Sequence, residues 1–234
     1  MDEWRNKVGI ALIATALVCS VAAVTATAGS APRELLKNKF LAPSGHLGNL
    51  AAGVTYKAST FPLPIRVTAP DASWAGAQWK YDSSFEHKKQ NKPPYFGWVG
   101  FEQPGHQGGI AIMTAYDKTP SVASVVRSFR TRGHGATYSA AKAVKLGGFS
   151  GVQFDGTVEG KEHAFIPFSP KTGSSTWYPD VYWIPKGAAF RIDVIGVHGK
   201  TVVVYIETLD LPADQFADFL TKADSLLNTL KFAA

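Results

Sequence analysis

The sequence predicts an α+β fold, a mainly antiparallel sheet with helices packed on it. Three observations predict it. From Ala188 to Val197, Phe190, Ile192 and Val194 alternate with Arg191 and Asp193, as in a strand with one buried face. From Thr201 to Leu209 the run TVVVYIETL is β-branched and aromatic on both sides, as in a central strand covered twice, and His198-Gly199 joins the two as a tight hairpin. After Pro212 the period changes: Phe216, Phe219, Leu220, Ala223, Leu226, Leu227 and Leu230 share one helical face, opposite Asp214, Asp218, Lys222 and Asp224.

The chain begins with an export signature. Arg5 and Lys7 precede an uncharged run from Val8 to Ala28, and Ala26-Thr27-Ala28 offers the small-x-small pattern of a signal-peptidase site. Residues 1–28 are therefore a cleaved signal peptide, with two alternatives open. The run is long enough to stay as a membrane anchor, and Cys19 is a candidate for lipidation although Val18 stands where a small residue is expected. Cys19 is the one cysteine, so a product cut after Ala28 has no disulfide, cysteine zinc site or thiol nucleophile. Residues 29–52 are small, polar and punctuated by glycine and proline. They read as a tether with one short helix around Arg33–Asn38.

A single domain is expected over 53–234. Three strands open it, at Gly53–Ala58, Pro64–Ala69 and Trp74–Tyr81, separated by turns at Pro62 and Ala69-Pro70-Asp71. A charged loop follows over Asp82–Pro94. Phe96–Phe101 and Gly109–Ala115 then form a hairpin, with turns at Pro104-Gly105 and Gly108-Gly109. Thr119-Pro120 opens a helix, with threonine as cap, whose apolar face is Val122, Val125, Val126 and Phe129. Arg127, Arg130 and Arg132 point away as a solvated face, and Gly133 ends the helix.

Residues Tyr138–Lys145 are ambiguous between helix and strand, and Gly147-Gly148 terminates them. Gly147–Val158 is a further strand, with Val152 and Phe154 on one side and Gln153 and Asp155 on the other. From Gly160 to Pro185 the chain is rich in aromatics, serine and proline, and reads as a large loop over one edge; long ordered loops are often functional.

A 45% hydrophobic and 12% aromatic composition supplies a real core and excludes global disorder. The net charge of +6 is scattered, its densest group being His87-Lys88-Lys89 with Lys92, which reads as a solvated loop, the alternative being a patch for an anionic membrane or polymer. No nucleic-acid partner is expected.

The strand wording Gly148, Phe149, Gly151, Phe154, Asp155 and Gly156, the Gly199-Lys200 hairpin, the TVVVYIE strand and the final F-x-x-F-L helix ending in LNTLKF resemble the exported bacterial members of the PsbP-like α/β/α sandwich group. The likeness covers residues 53–232 in architecture and 148–232 in wording. It implies an accessory or binding role, and it carries no catalytic residue set.

The chemistry-bearing residues form no enzymatic motif. The six histidines, at 46, 87, 106, 134, 163 and 198, show no metal-ligand spacing, so no metal is expected. The nearest serine elbow, Gly148–Val152, fails at its last position. Asp155 and Glu159 flank a glycine and read as hairpin-turn residues. No nucleotide-binding glycine loop occurs, and no cofactor is expected.

The ligand-binding candidates are Trp177, Tyr178, Tyr182 and Trp183, aromatics with polar edges set beside Ser174, Ser175 and Asp180. They suit stacking on a sugar ring or an apolar ligand; the alternative is that they pin the excursion to the sheet. The expected function is thus an exported, non-enzymatic binding or accessory domain at the cell envelope. Its partner would be an envelope component or small ligand, with membrane contact through residues 8–28 if these are retained. Two rivals stand beside it: an extracellular hydrolase of wall or polymer substrates, testable at Asp155 or His163, and a membrane-anchored structural protein.

Overall fold

In the computed structural model, residues 30–37, 47–81, 96–103, 108–116, 118–132, 136–159, 163–165, 182–184, 186–208 and 213–233 are described. Near the start come β1 (Arg33–Glu34), β2 (Leu36–Lys37) and β3 (Gly48–Asn49), then β4 (Thr55–Ala58), β5 (Ile65–Thr68) and β6 (Ala75–Tyr81). The first half closes with β7 (Phe96–Glu102), β8 (Gly109–Ala115) and α1 (Val122–Arg132). The second half holds β9 (Ala136–Tyr138), β10 (Lys142–Leu146), β11 (Phe149–Val158), β12 (His163–Phe165) and β13 (Tyr182–Ile184). It ends with β14 (Ala189–Val197), β15 (Lys200–Glu207), α2 (Phe216–Leu227) and β16 (Lys231–Phe232). All of these lie in one compact unit, Ala31–Ala234.

The large sheet is ordered β10-β11-β14-β15-β8-β7-β6-β2, with β3 added on β6 and β9 on β11. A smaller sheet runs β1-β4-β5-β16. Pairing is antiparallel except at β1 with β4 and β2 with β6, so both sheets are mixed and the fold is α+β with little helix. The β14–β15 hairpin forms as the alternation requires, with Val197 opposite Lys200 and Phe190 opposite Glu207. His198 at φ 47° and Gly199 at φ 78° make a two-residue turn with both residues in the left-handed region.

β15 shows how the core is divided, because its successive side chains point to opposite faces. Val203 and Tyr205 join a cluster with Met113, Ile192 and the α1 residues Val125 and Phe129. Val202, Val204 and Ile206 join another with Ile112, Ile195 and the α2 residues Phe219, Ala223 and Leu226. Tyr56 and Ile65 of the small sheet belong to this second cluster. The layers are therefore α1, the large sheet, and then α2 with the small sheet.

Several sequence expectations are corrected here. The short helix around Arg33–Asn38 is replaced by β1 and β2, and the residues read as a tether enter the sheets through β1, β2 and β3. Leu35 at 1% and Leu50 at 4% exposure show the reason, since each is an anchor buried in the core on the α2 side. Thr119 does not cap α1: the N–H of Ser124 donates to Ser121 Oγ at 3.2 Å, while Thr119 Oγ1 accepts from the N–H of Thr201 at 2.7 Å. The last helix stops at Leu227, and Lys231–Phe232 forms β16 on β5. Thr229 makes the junction, its Oγ1 accepting from the N–H of Thr68 at 2.9 Å and donating to Leu226 O at 2.7 Å.

The ambiguous stretch at Tyr138–Lys145 is two strands, β9 and β10, both paired to β11. Gly156 lies inside β11 rather than in a turn, so Asp155 is a strand residue. The excursion at 160–185 is not wholly a loop, because β12 and β13 pair as an antiparallel ribbon.

Candidate functional site

On the face of the large sheet that meets α2, the β11 and β14 ends carry a polar cluster. Strand register fixes it: Asp155 lies opposite Arg191, and Gln153 opposite Asp193, while Lys142 of β10 lies opposite Gln153. Ile195, two residues beyond Asp193, is in the core under α2, which assigns the alternating set to that face.

Arg191 and Asp155 form a bidentate pair, Nε to Oδ1 at 2.6 Å and Nη2 to Oδ2 at 3.2 Å, the geometry that matches a guanidinium fork to a carboxylate. The arginine side chain is 13% exposed and that of the aspartate 37%, so the pair opens to solvent on one side. The backbone of Asp155 is fixed from β9's end, its N–H donating to Ser139 Oγ at 3.0 Å and its carbonyl accepting from the N–H of Ser139 at 2.9 Å. Burial alone would lower the Arg191 pKa. Its bonds to Asp155 and the charges of Asp155, Asp193 and Asp224 outweigh that and raise it.

Asp193 sits deeper, 3% exposed. Burial pushes its carboxyl up to about 6, against a hydrogen bond from Gln153 and the Arg191 charge, with Asp224 and Asp155 adding to the rise. Its Oδ1 is buried and has no hydrogen-bond partner among the described residues. Asp224, on the exposed side of α2, is also raised, by burial first, while Arg191 and Lys142 draw it down.

A second set of groups lies on the α1 side. Trp79 and Trp98 stack with ring centroids 5.2 Å apart at 23°. They close over Gly100, where a Cβ would come within 2.9 Å of the Trp79 ring. Nearby in the sheet, Gly109 lies opposite both Glu102 and Glu207. Burial pushes Glu207 up to about 8, with a Tyr205 hydrogen bond lowering it and the Glu102 charge raising it.

Of the four sequence-predicted ligand residues, Trp177 and Tyr178 lie outside the described residues. Tyr182 and Trp183 fall in β13, opposite Phe165 and Ala164 of β12; His163 of β12 is opposite Ile184. The polar partners Ser174, Ser175 and Asp180 lie outside the described residues too. Among the described residues no group of three or more histidine, cysteine or acidic side chains is arranged to hold a metal.

Sequence reasoning took Asp193 for the wet side of a half-buried strand and did not single out Glu207. The available signal was β15: a strand apolar on both faces sits mid-sheet, and its partner β14 is then covered on both faces as well.

No family model matches the chain, and no curated protein matches it. Among solved structures it is similar to cyanobacterial PsbP (CyanoP) from Synechocystis sp. PCC 6803, at 11% identity and TM-score 0.43, covering 82% of this chain and 100% of that one. It is also similar to LpqN of Mycobacterium tuberculosis, a protein involved in cell envelope biogenesis, at 15% identity and TM-score 0.30, covering 82% and 94%. A Bacteroides thetaiotaomicron VPI-5482 protein matches at 9% identity and TM-score 0.35, covering 73% of this chain and 45% of its own.

Proposed function

We propose that this chain is an exported, non-enzymatic binding or accessory domain that works at the cell envelope, secreted or anchored on the outer face of the cytoplasmic membrane. Export is supported by Arg5 and Lys7 before the apolar run Val8–Ala28 and by the small residues Ala26 and Ala28. The layer order, α1 on one face of the sheet and α2 on the other, supports the α/β/α sandwich of the PsbP-like group. Among the described residues no helix is long and apolar enough to cross a membrane.

The observation that carries the binding reading is the β12–β13 ribbon. It joins the two ends of the aromatic excursion, so Tyr182 and Trp183 stand on hydrogen-bonded backbone rather than on a free loop. Groups held on regular structure lose less freedom on binding. In this reading Tyr182 and Trp183, with Trp177 and Tyr178 outside the described residues, would stack on a sugar ring or cover an apolar group.

The test is a thermal-shift screen of the exported protein against soluble wall saccharides and lipid vesicles, repeated with Trp177→Ala and Trp183→Ala. A ligand-dependent rise in Tm that disappears in the variants, with their urea midpoints unchanged, supports the reading. Variants that lose their fold instead assign the aromatics to packing and overturn it.

A further inference from the structure

We propose that the polar cluster where β11, β14 and α2 meet binds a primary ammonium group, held by Asp193 from within and by Asp224 at the rim. The site is separate from the aromatic ribbon and does not depend on its role.

The argument starts from an incomplete set of hydrogen bonds. Asp193 is 3% exposed, and its Oδ1 finds no donor among the described residues. Buried carboxylate oxygens are normally satisfied, so a donor is missing from this place. Arg191, two residues away on the same face, has Nε and Nη2 committed to Asp155 at 2.6 and 3.2 Å. Gln153 already bonds the Asp193 side chain.

Charge points the same way. The charged groups whose fields act on Asp193 and Asp224 are Asp155 on β11, Arg191 on β14 and Lys142 on β10, together with each other. Three carboxylates thus stand against two cations, and one further cation balances the set.

An ammonium group is the chemistry that meets both needs, being a compact charge with three donors. The described residues offer no three-ligand arrangement for a metal, which argues for an organic cation. Asp193 Oδ1 is itself covered, so the cation would enter by displacing the cover on the side where the Asp155 side chain is 37% exposed and Asp224 is exposed.

The probe is methylammonium chloride, titrated into the protein with sodium chloride at equal ionic strength as control, while the side-chain carboxyl carbon of Asp193 is followed by NMR. The expected result is a saturable shift that sodium does not reproduce. Because burial brings this carboxyl to about 6, only about a tenth of it is ionised near pH 5, and binding there should be about tenfold weaker than near pH 7.5.

Asp193→Asn should abolish the binding, read from the shifts of neighbouring amides. Asp224→Asn, at a surface position where folding is not at stake, should weaken it several-fold. Nα-acetyl-lysine amide distinguishes the source: tighter binding than methylammonium points to a lysine side chain of a polypeptide, and equal binding to a free amine. No shift at Asp193, a shift that sodium reproduces, or binding that survives in both variants would overturn the proposal.

Discussion

The rings of Tyr138 and Phe190 meet edge to face, 5.9 Å apart at 78°, on the two sides of Gly156. Strand register sets this up, since Gly156 of β11 lies opposite Tyr138 of β9 and Phe190 of β14. A glycine between two aromatic neighbours lets their rings cover the backbone that it leaves bare.

Gly156→Ala should therefore be destabilising. A Cβ there would stand 2.2 Å from the Phe190 ring, so the ring must leave its place against Tyr138. The expected cost is about 1–3 kcal/mol, the range for an extra methyl in a packed core. Urea unfolding measures it, and an unchanged midpoint would show that the ring has somewhere else to go.

Glu207 makes stability depend on pH. Burial lifts its carboxyl from the ordinary 4.5 to about 8, so it stays neutral in the fold over a range where the unfolded chain is ionised. The unfolded chain then binds fewer protons, and stability falls as pH rises from about 4.5 to about 8. Asp193 acts in the same direction between 3.8 and about 6. Glu207→Gln should gain on the parent steadily across the Glu207 window, as urea midpoints at its two ends will show. A difference that is the same at both ends would mean that Glu207 ionises freely in the folded state.

The Asp155–Arg191 pair should show real but modest coupling. Its partly exposed side weakens the Coulomb term, and a double-mutant cycle with Asp155→Asn and Arg191→Gln should return about 1 kcal/mol. The single change Arg191→Gln has a second effect, because Arg191 holds Asp193 down. Asp193 should titrate higher in that variant, which carboxyl NMR reads directly.

Phe219→Ala should cost about 3–5 kcal/mol, as large aromatic truncations in cores do. The side chain is 2% exposed, and its ring occupies the space where a Cβ on Gly108 would come within 2.6 Å. It also lies 6.3 Å from the ring of Trp74, so the near-ultraviolet circular dichroism of the tryptophans should change with it.

The parts of the fold legible in the sequence are those where a period runs long enough to be counted. β14, β15 and α2 each repeat their pattern for eight residues or more, and they form where the pattern puts them. β1, β2, β3 and β16 are two residues long, and two residues carry no period. Their pairing comes from distant partners, which no local window contains. The polar cluster was hidden for a related reason. Alternation in β14 separates two faces but does not say that both are covered, so Asp193 reads as wet when it is buried. Register adds what composition cannot: it brings Asp155 to Arg191 across 36 residues of chain.

β16 dictates the order in which the molecule can be assembled. β4 and β5 are close in the chain and can find each other early, but the fourth strand of their sheet, β16, is made only after α2. Thr68 and Thr229, which seal that junction, are 161 residues apart. Closing so long a loop is entropically slow, and the contacts that reward it form only afterwards. Until Lys231 and Phe232 are made, β5 thus keeps an edge without its partner strand.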